Sequence, residues 1–375
     1  MKVTNAKGET TGYTYDKNGN LLTQTDGKGN AITYTYNAAN LPVTKSEPAD
    51  RKGIVVRDTY TYNTVGTLKT KTDKNGTLTE YTYDGAGNLL TEKAGSSVIT
   101  HTYDFVSNEL TMTDGTGTTT RTYDELGRVV AKTVPVIGTV TYNYDITQDI
   151  EQGCYQETTT DPQGNVTNKI YDKVGRLVKV ITGENEIIYT YYDNGSRKSV
   201  TYNDGSMEPC SMEEYTYYDD GKLKSLINKK ADGSIMDSYT YTYDTAGNQL
   251  TKKEIINGTE KGTTTYTYDT INRLSTVTEP GGRITEYTYD ASGNRSTEKT
   301  IYNEVTTLKE YSYDNRNRLT NISKKVDNQL IVETIYTFDH NGNQLTTTEK
   351  TYTNGSLTGT ASVETNNYDT YNQLI

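Results

Sequence analysis

Aspartates that stand beside asparagine and glycine are the first groups in this chain that could do chemistry. The stretches "DKNGN" at Asp16–Asn20 and "DHNGN" at Asp339–Asn343 have the composition of calcium-binding loops. An EF-hand loop has glycine at its sixth position and glutamate at its twelfth. Here glycine is fourth, and the twelfth residue counted from Asp16 is Gly27. The spacing indicates tight turns, and we expect no metal or cofactor; weak calcium binding by a row of such turns stays an alternative.

Other catalytic groups are sparse. The two histidines, His101 and His340, are too far apart in sequence to indicate a metal site or a histidine-based triad, and we interpret both as substitutions within repeats. The acidic pair Glu213 and Glu214 has the residue types of a glycosidase, which needs two carboxyl groups facing one cleft. Nothing separates this pair from the other Asp and Glu residues, 49 in all. We therefore predict no enzymatic activity.

The elements that carry these residues repeat along the whole chain. A Tyr-Asp pair, or a variant such as Tyr36-Asn37, recurs sixteen times at spacings of 20 to 30 residues. Such a period is typical of a repeat protein. The pairs Tyr144-Asp145, Tyr192-Asp193 and Tyr218-Asp219 are counted in the same register. The repeat-defining structural residues of six copies are Tyr15, Asp16 and Gly19; Tyr83, Asp84 and Gly87; Tyr123, Asp124 and Gly127; Tyr171, Asp172 and Gly175; Tyr243, Asp244 and Gly247; Tyr289, Asp290 and Gly293.

Each repeat predicts a β-hairpin. In "YTYD" the two tyrosines lie on one face of a strand and the threonine on the other. Asp16 first and Gly19 fourth favour a type I turn, which we call the first turn of the repeat. A second turn with the same pattern, such as Asp26–Gly29, leads to the next hairpin. The extra residues of longer repeats fall in the second-turn region, as at Asn228–Ser238 and Glu254–Thr263, so we expect an irregular second-turn rim.

Composition favours an ordered chain without a thick core. Hydrophobic residues are 32% of the 375 residues, below the roughly 45–50% of ordinary globular chains. The 35 tyrosines and the strict period argue against disorder. We predict an all-β fold in which tandem β-hairpin repeats form a coiling antiparallel ribbon, spiral shell or cocoon segment, since sheets twist with a fixed hand. We expect one repeat domain over 1–375, truncated at its C-terminal end because the last repeat stops at "YDTYNQLI".

Charge and cysteine content limit the partners. The net charge of −11 and the lack of a Lys/Arg cluster argue against nucleic acid and acidic membrane surfaces as partners. The chain has no apolar run long enough for membrane insertion and no export signal. For Cys154 and Cys210, one disulfide and two free thiols both stay open.

The repeat text resembles a known family. "YxYDxxGNL" at Tyr13–Leu21 and Tyr81–Leu89, and "YDxxGRL" at Tyr171–Leu177, resemble the YD repeat of Rhs proteins, teneurins and the shell components of bacterial Tc toxins. The resemblance covers essentially the whole chain. It implies a spiral β-ribbon that closes into a hollow cocoon around a C-terminal toxin or effector in large secreted or surface proteins of bacteria. In animal relatives the shell serves cell-cell contact.

From this resemblance we expect a non-enzymatic shell segment that encloses or displays a C-terminal toxin or effector polypeptide. Its partner would be the remainder of a larger polypeptide, or a surface glycan or protein, and its location secreted or cell-surface. The family also implies aspartyl self-cleavage, but "TTDPQGNV" at Thr159–Val166 reads as an ordinary second turn, and we assign no cleavage to Asp161. The alternative is a cell-surface adhesion or carbohydrate-binding module, in which exposed tyrosines would stack on sugars.

Overall fold

Antiparallel strands make up the fold. The computed structural model describes residues 1–50, 52–144, 154–205 and 210–375, and Asp145 of the predicted Tyr144-Asp145 copy lies outside this part. The described residues include no helix, and so none that could span a membrane. The first strands are β1 (Lys2–Thr4), β2 (Thr10–Tyr15), β3 (Leu21–Thr25), β4 (Ala31–Tyr36), β5 (Pro42–Ser46), β6 (Arg57–Tyr62), β7 (Leu68–Thr72), β8 (Leu78–Tyr83), β9 (Leu89–Ala94), β10 (Ser97–Tyr103), β11 (Glu109–Asp114), β12 (Gly117–Tyr123), β13 (Val129–Val134), β14 (Gly138–Asn143), β15 (Tyr155–Thr160) and β16 (Val166–Tyr171). The remaining strands are β17 (Leu177–Thr182), β18 (Asn185–Tyr191), β19 (Arg197–Asn203), β20 (Ser211–Tyr217), β21 (Leu223–Lys230), β22 (Ile235–Tyr243), β23 (Gln249–Ile256), β24 (Thr259–Tyr268), β25 (Leu274–Thr278), β26 (Ile284–Tyr289), β27 (Arg295–Tyr302), β28 (Val305–Tyr313), β29 (Leu319–Val326), β30 (Gln329–Phe338), β31 (Gln344–Thr353), β32 (Ser356–Leu357) and β33 (Ser362–Thr365).

The chain divides into two compact units. Unit 1 comprises Met1–Ile99 and Tyr266–Ile375, and unit 2 comprises Thr100–Thr265. Within each unit, successive strands pair antiparallel in chain order, and β31 pairs with both β32 and β33. The predicted all-β fold of tandem antiparallel hairpins is confirmed. The single repeat domain over 1–375 stays a prediction.

A β-bulge marks the end of the first strand of most hairpins. Thr14 of β2 lies opposite Thr23 of β3, but the next residue, Tyr15, lies opposite Leu21, so β3 has one extra residue at this point. A bulge bends its strand and increases the local twist. The same shift occurs at Tyr83, Tyr123, Tyr171, Tyr243 and Tyr289.

The two faces of the sheet differ. The threonines of the repeat lie on an exposed face and pair across strands, as where Thr14 Oγ1 lies 2.6 Å from Thr23 Oγ1. Most tyrosines lie on the other, half-buried face. Among the described residues, the buried hydrophobic side chains are those of Val56, Ala94 and Val200. Burial is therefore spread thinly along the ribbon, which agrees with the low hydrophobic content.

The longer repeats have longer strands. β22 has nine residues and β24 has ten. The turn between β21 and β22 stays tight, with the Gly233 N–H donating to the Lys230 carbonyl oxygen over 2.9 Å. The expectation of extra second-turn residues is therefore wrong at 228–238 and 254–263. Cross-strand pairing continues through most of these residues and draws them into the sheet.

Candidate functional site

The repeat aspartate organises the first turn. The Gly87 N–H donates to the Asp84 carbonyl oxygen over 3.2 Å, and Gly87 has a φ of +90°. The Asp84 carboxylate accepts the N–H groups of Ala86 and Asn88 at 2.9 and 2.8 Å, and Asn88 Nδ2 at 2.9 Å. The hydrogen bonds from Asn88 lower the pKa of Asp84 below its ordinary value because they favour the charged carboxylate. Both oxygens of this carboxylate thus accept hydrogen bonds within the turn.

The other predicted positions share this geometry. In each copy, the Asp and Gly occupy the first and fourth positions of one first turn, and the Tyr directly precedes that turn. The remaining fourth-position glycines have positive φ in every case: Gly19 (+88°), Gly127 (+74°), Gly175 (+82°), Gly247 (+92°) and Gly293 (+87°). The carboxylates that accept the N–H of the residue four positions on are those of Asp16, Asp124, Asp172, Asp244 and Asp290.

The residue after the glycine explains the two forms of the repeat motif. Where it is asparagine, its Nδ2 donates to the aspartate, as in the Asp84 turn. Where it is arginine, as at Arg128, Nε donates to Asp124 Oδ2 at 2.7 Å and the guanidinium carbon lies 4.4 Å from the ring centroid of Tyr144. Such cation–π contacts are favourable. Tyr144 belongs to the next repeat, so the arginine also ties neighbouring hairpins together.

The repeat tyrosine ties its hairpin to the preceding one. In several repeats its hydroxyl donates to the carbonyl oxygen of the first residue of the preceding returning strand. The bonds join Tyr123 to Glu109 (2.7 Å), Tyr243 to Leu223 (2.9 Å) and Tyr289 to Leu274 (2.8 Å). Tyr15 is 49% exposed and makes no such bond to a described residue. The Tyr171 ring stacks on the Tyr155 ring, with 4.6 Å between the ring centroids. Burial of Tyr83 raises the pKa of its hydroxyl.

Two predicted copies are shifted by one residue. The turn at Tyr192-Asp193 begins at Tyr192, because the Gly195 N–H donates to the Tyr192 carbonyl oxygen over 2.9 Å. A tyrosine therefore occupies the aspartate position, and its hydroxyl donates to the Tyr215 carbonyl oxygen of the next hairpin at 2.9 Å. The same correction applies to the copy Tyr218-Asp219, whose turn begins at Tyr218.

In unit 1, second turns from the N-terminal hairpins contact first turns from the C-terminal hairpins. We call this row of contacts the seam. Several of its hydrogen bonds join residues 264 to 268 positions apart. The seam consists of the second turns that begin at Asn5, Asp26, Asp50 and Asp73, the first turns that begin at Asp269, Asp290, Asp314 and Asp339, and the contact between Gly95 and Thr370.

Ion pairs join the first two turn pairs of the seam. Lys7 Nζ lies 2.8 Å from Asp269 Oδ2, and Lys28 pairs with Asp290. Burial raises the pKa of Asp290, but hydrogen bonds from Lys28 and Asn294 outweigh it, and the pKa lies below its ordinary value. For Asp269, burial is likewise outweighed by bonds from Lys7 and the following turn, and its pKa lies far below the ordinary value. Both carboxylates are therefore held in the charged form.

Close backbone packing accompanies these ion pairs. A Cβ added at Gly27 would lie 1.9 Å from the carbonyl oxygen of Ala291, so only glycine fits at this approach. Beside it, Ser292 Oγ donates to Asp26 Oδ2 at 2.7 Å. The two turns are thus in direct contact.

Amide side chains join the fourth turn pair. Asn75 Nδ2 donates to Asp339 Oδ2 at 2.9 Å, and Asn341 Nδ2 donates to Asp73 Oδ2 at 2.7 Å. Each asparagine therefore contributes to the turn opposite. His340, read from the sequence as a turn residue, donates its backbone N–H to Asn75 Oδ1 at 3.1 Å.

Backbone carbonyl groups accept further seam contacts. Asn315 Nδ2 donates to the Ala49 carbonyl oxygen at 2.8 Å. The Tyr371 hydroxyl lies 3.1 Å from the Glu92 carbonyl oxygen and 3.0 Å from that of Ser97. Side chains of one set of turns thus satisfy the main chain of the other.

A cavity of about 460 Å³ lies at the seam. Its charged lining residues are Glu9, Asp26, Glu47, Arg273 and Arg316, and its lining includes no histidine or cysteine. Arg273 donates to Asp269 at 2.8 Å and lies over the Tyr289 ring at 4.5 Å. Acid and base groups are thus mixed, and the arrangement suits packing between turns.

Glu213 and Glu214 do not face one cleft. Glu213 accepts hydrogen bonds from the hydroxyls of Tyr202, at 3.0 Å, and Tyr215, whereas Glu214 pairs with Lys229 at 2.7 Å. Neighbouring residues of a strand point to opposite faces, so this pair lacks the arrangement of a glycosidase. Burial, followed by the hydrogen bond to Glu213, raises the pKa of Tyr202 to about 12.

The remaining histidine and the cysteines stand apart from one another. His101 Nδ1 lies 2.6 Å from Glu109 Oε1. Cys154 and Cys210 are both free thiols. Within the described ranges, no group of three or more His, Cys, Asp or Glu residues is placed to hold a metal ion.

The seam is the feature that sequence reasoning missed. Its residues have the same repeat text as turns outside it. Their only signal is a separation of about twelve repeats, which becomes informative once the path of the ribbon is known.

The fold has been seen in solved toxin structures. The chain matches the crystal structure of TcdB2-TccC3-Cdc42 with a TM-score of 0.76 and 16% identity, over 98% of this chain and 21% of that chain. It matches the structure of the Photorhabdus luminescens Tc holotoxin pore with a TM-score of 0.73 and 16% identity, over 97% of this chain and 21% of that chain. The chain thus spans about a fifth of the length of these solved chains, and the likeness is one of fold. No curated protein sequence matches it.

A family model gives the assignment. The model described as teneurin YD-shell matches residues 1–113 and 94–332. These ranges contain most of the hairpins, bulges and aspartate turns described above, and the resemblance to YD-repeat proteins drawn from the sequence is confirmed. The chain belongs to the teneurin YD-shell family.

Proposed function

We propose that the chain is a non-enzymatic wall segment of a secreted or cell-surface protein, and that this wall encloses or displays another polypeptide. The observation that carries the proposal is the seam. A ribbon of hairpins leaves gaps wherever its rims are free, and in unit 1 five successive turn pairs close the gap between hairpins about twelve repeats apart.

The chemistry of the described residues supports a structural role. The repeat aspartates are occupied by turn hydrogen bonds, and the repeat tyrosines of several hairpins donate to main-chain carbonyl groups. The two adjacent glutamates that fit a glycosidase by residue type have separate partners. No specific observation favours carbohydrate binding, since most tyrosines are half-buried.

Protease protection tests the proposal. The natural gene product that carries residues 1–375 would be digested, and its fragments mapped by mass spectrometry. We expect an enclosed segment to resist cleavage in the wild-type protein and to be cut faster in Lys28→Glu, which places a second acid beside Asp290. Lys17→Glu, in a first turn outside the seam, is the matched control and should protect as the wild type does.

Two results would count against enclosure. One is a wild-type protein in which every segment outside the repeats is cut as fast as the same segment expressed alone. The other is an enclosed segment that resists the protease equally in the wild type and in Lys28→Glu, although the substitution has lowered the stability of the repeat domain. The wall would then not be what excludes the protease.

A further inference from the structure

Asparagine is followed directly by glycine at six places in the chain: Asn18, Asn75, Asn194, Asn257, Asn341 and Asn354. Asparagine is a chemically labile residue, because the main-chain nitrogen of the next residue can attack its side-chain amide carbon. Glycine favours this attack, since it has no side chain to obstruct the approach. The six pairs are therefore open to spontaneous loss of ammonia, and the structure around each pair decides how readily it reacts.

Main-chain hydrogen bonds hold five of the six glycine nitrogens. An N–H that points at an acceptor keeps its nitrogen in that direction, away from the neighbouring side chain. This bond must break before the nitrogen can attack. The donors and the carbonyl groups that accept them are Gly19 and Asp16 (3.1 Å), Gly76 and Asp73 (3.0 Å), Gly195 and Tyr192 (2.9 Å), Gly258 and Met236 (3.0 Å), and Gly342 and Asp339 (3.3 Å).

Gly355 differs from these five glycines. No residue in the described part of the chain accepts its N–H, and both Asn354 and Gly355 are exposed. The two residues form the loop between β31 and β32, with φ of 51° and 78°, the positive values of a type I′ turn. Attack by the Gly355 nitrogen therefore requires no hydrogen bond to be broken first.

The strands beside this turn restrain it weakly. β32 has two residues, Ser356 and Leu357, which pair with the last two residues of β31. The comparable turn at Asn257 lies between strands of eight and ten residues, and the Asn257 N–H also donates to Asp237 Oδ1 at 2.9 Å. Local opening costs least where few contacts hold a segment. The turn at Asn354 thus reaches the geometry of attack more easily than the turn at Asn257.

We propose that Asn354 is a site of spontaneous modification, at which the folded chain forms aspartate and isoaspartate. The Gly355 nitrogen forms a bond to Cγ of Asn354, the Cγ–Nδ2 bond breaks, and Nδ2 leaves as ammonia with the proton of the Gly355 nitrogen. Water then hydrolyses the cyclic imide. Cleavage at Cγ gives aspartate, and cleavage at the main-chain carbonyl carbon gives isoaspartate. Either product adds a negative charge to the turn, and isoaspartate also lengthens its main chain.

Peptide mapping of the full chain by mass spectrometry tests this proposal. The protein is incubated in mildly alkaline buffer, folded and in denaturant, and the converted fraction of each Asn-Gly pair is followed over time. Isoelectric focusing follows the added charge in the wild type, in Asn354→Gln and in the matched control Asn18→Gln. Attack on a glutamine side chain closes a larger ring and is slower, so each substitution blocks the reaction at its own position.

We expect Asn354 in the folded chain to convert at least about tenfold faster than each of the other pairs, and all six pairs to convert at similar rates in denaturant. Acidic species should accumulate equally in the wild type and in Asn18→Gln, and far more slowly in Asn354→Gln.

Three results overturn the proposal. In the first, another Asn-Gly pair converts as fast as Asn354 in the folded chain. In the second, Asn354 keeps the same lead in denaturant, because the neighbouring sequence and not the fold would then select it. In the third, acidic species accumulate in Asn354→Gln at the rate of the wild type.

Discussion

Asn75 and Asn341 bind each other reciprocally across the seam, although they lie 266 positions apart in the sequence. The backbone N–H of Asn75 donates to Asn341 Oδ1 at 3.2 Å, and that of Asn341 donates to Asn75 Oδ1 at 3.3 Å. Their side-chain amides donate to the aspartates that begin the opposite turns. Each asparagine thus completes the other's turn, and this part of the seam depends on directed hydrogen bonds.

Replacing Asn75 by alanine should destabilise the protein more than replacing Asn18. Both stand in the text "DKNG" and both are exposed, but the Asn18 side chain makes one hydrogen bond, to Asn40 at 3.0 Å, whereas the Asn75 side chain makes three across the seam. We expect Asn75→Ala to lower the free energy of unfolding by about 1–2 kcal/mol, because it removes three side-chain hydrogen bonds across the seam. Asn18→Ala should cost less than about 0.5 kcal/mol. Chemical denaturation measures both, and equal losses would mean that the seam contributes no stability.

Acid should weaken the seam through Asp26. Burial raises the pKa of Asp26, but hydrogen bonds from Asn30, Ser292 and Asn317 outweigh it, so the folded-state pKa lies below the ordinary value of 3.8. A depressed carboxylate pKa contributes stability that is present above the unfolded pKa and is lost as the pH falls through the folded pKa. We therefore expect the melting temperature to fall below about pH 4.

Asp26→Asn is the variant that isolates this group. Asparagine begins the turn at Asn37 with the same backbone contacts, so the fold should persist. We expect the variant to be less stable than the wild type at neutral pH and the difference to shrink in acid, where Asp26 is protonated in the wild type. A difference that stays constant from about pH 6 to about pH 2 would show that the charge of Asp26 does not contribute.

The sequence predicts the local structure well because the contacts that determine each turn lie within a single repeat. Asp16 and Gly19 specify a turn through contacts within five residues, and alternation of Tyr and Thr specifies the faces of the strand. The shift at Tyr192 was missed because the text "YYD" offers two tyrosines, and the hydrogen bond to Tyr215 decides between them. Long-range pairing is the harder part, since "DKNG" reads the same at Asn18 and Asn75.

The hydroxyl of the repeat tyrosine should contribute to stability where it reaches the preceding hairpin. Tyr289 donates to the Leu274 carbonyl oxygen at 2.8 Å, whereas Tyr15 makes no such bond to any residue that the structure describes. We expect Tyr289→Phe to lower the free energy of unfolding by about 1 kcal/mol and Tyr15→Phe to change it little. The contact of Arg273 with the ring should persist, as Arg318 lies 4.8 Å from the Phe338 ring. Denaturant unfolding measures both free energies. If the two variants lose similar amounts, the preference for tyrosine at this position comes from its ring and not from its hydroxyl.

The fourth position of the first turn should tolerate asparagine but not valine. Gly87 has a φ of +90° and no atom within 4 Å of an added Cβ, so the cost of a side chain there comes from the backbone conformation. Left-handed backbone costs most residues about 1–2 kcal/mol, and asparagine adopts it more readily. The same position is held by Asn40 and Asn317, with φ of 60° and 58°.

We therefore expect Gly87→Val to lower the free energy of unfolding by at least about 1–2 kcal/mol, and Gly87→Asn by less than half of that. Lys17→Ala, an exposed change in another first turn, should have almost no effect and serves as the control. Thermal and denaturant unfolding of the three variants side by side measures the difference. If valine and asparagine cost the same, the requirement at this position is the absence of a side chain. If all three variants unfold at the same temperature and denaturant concentration as the wild type, the aspartate-glycine turn does not determine the stability of the ribbon.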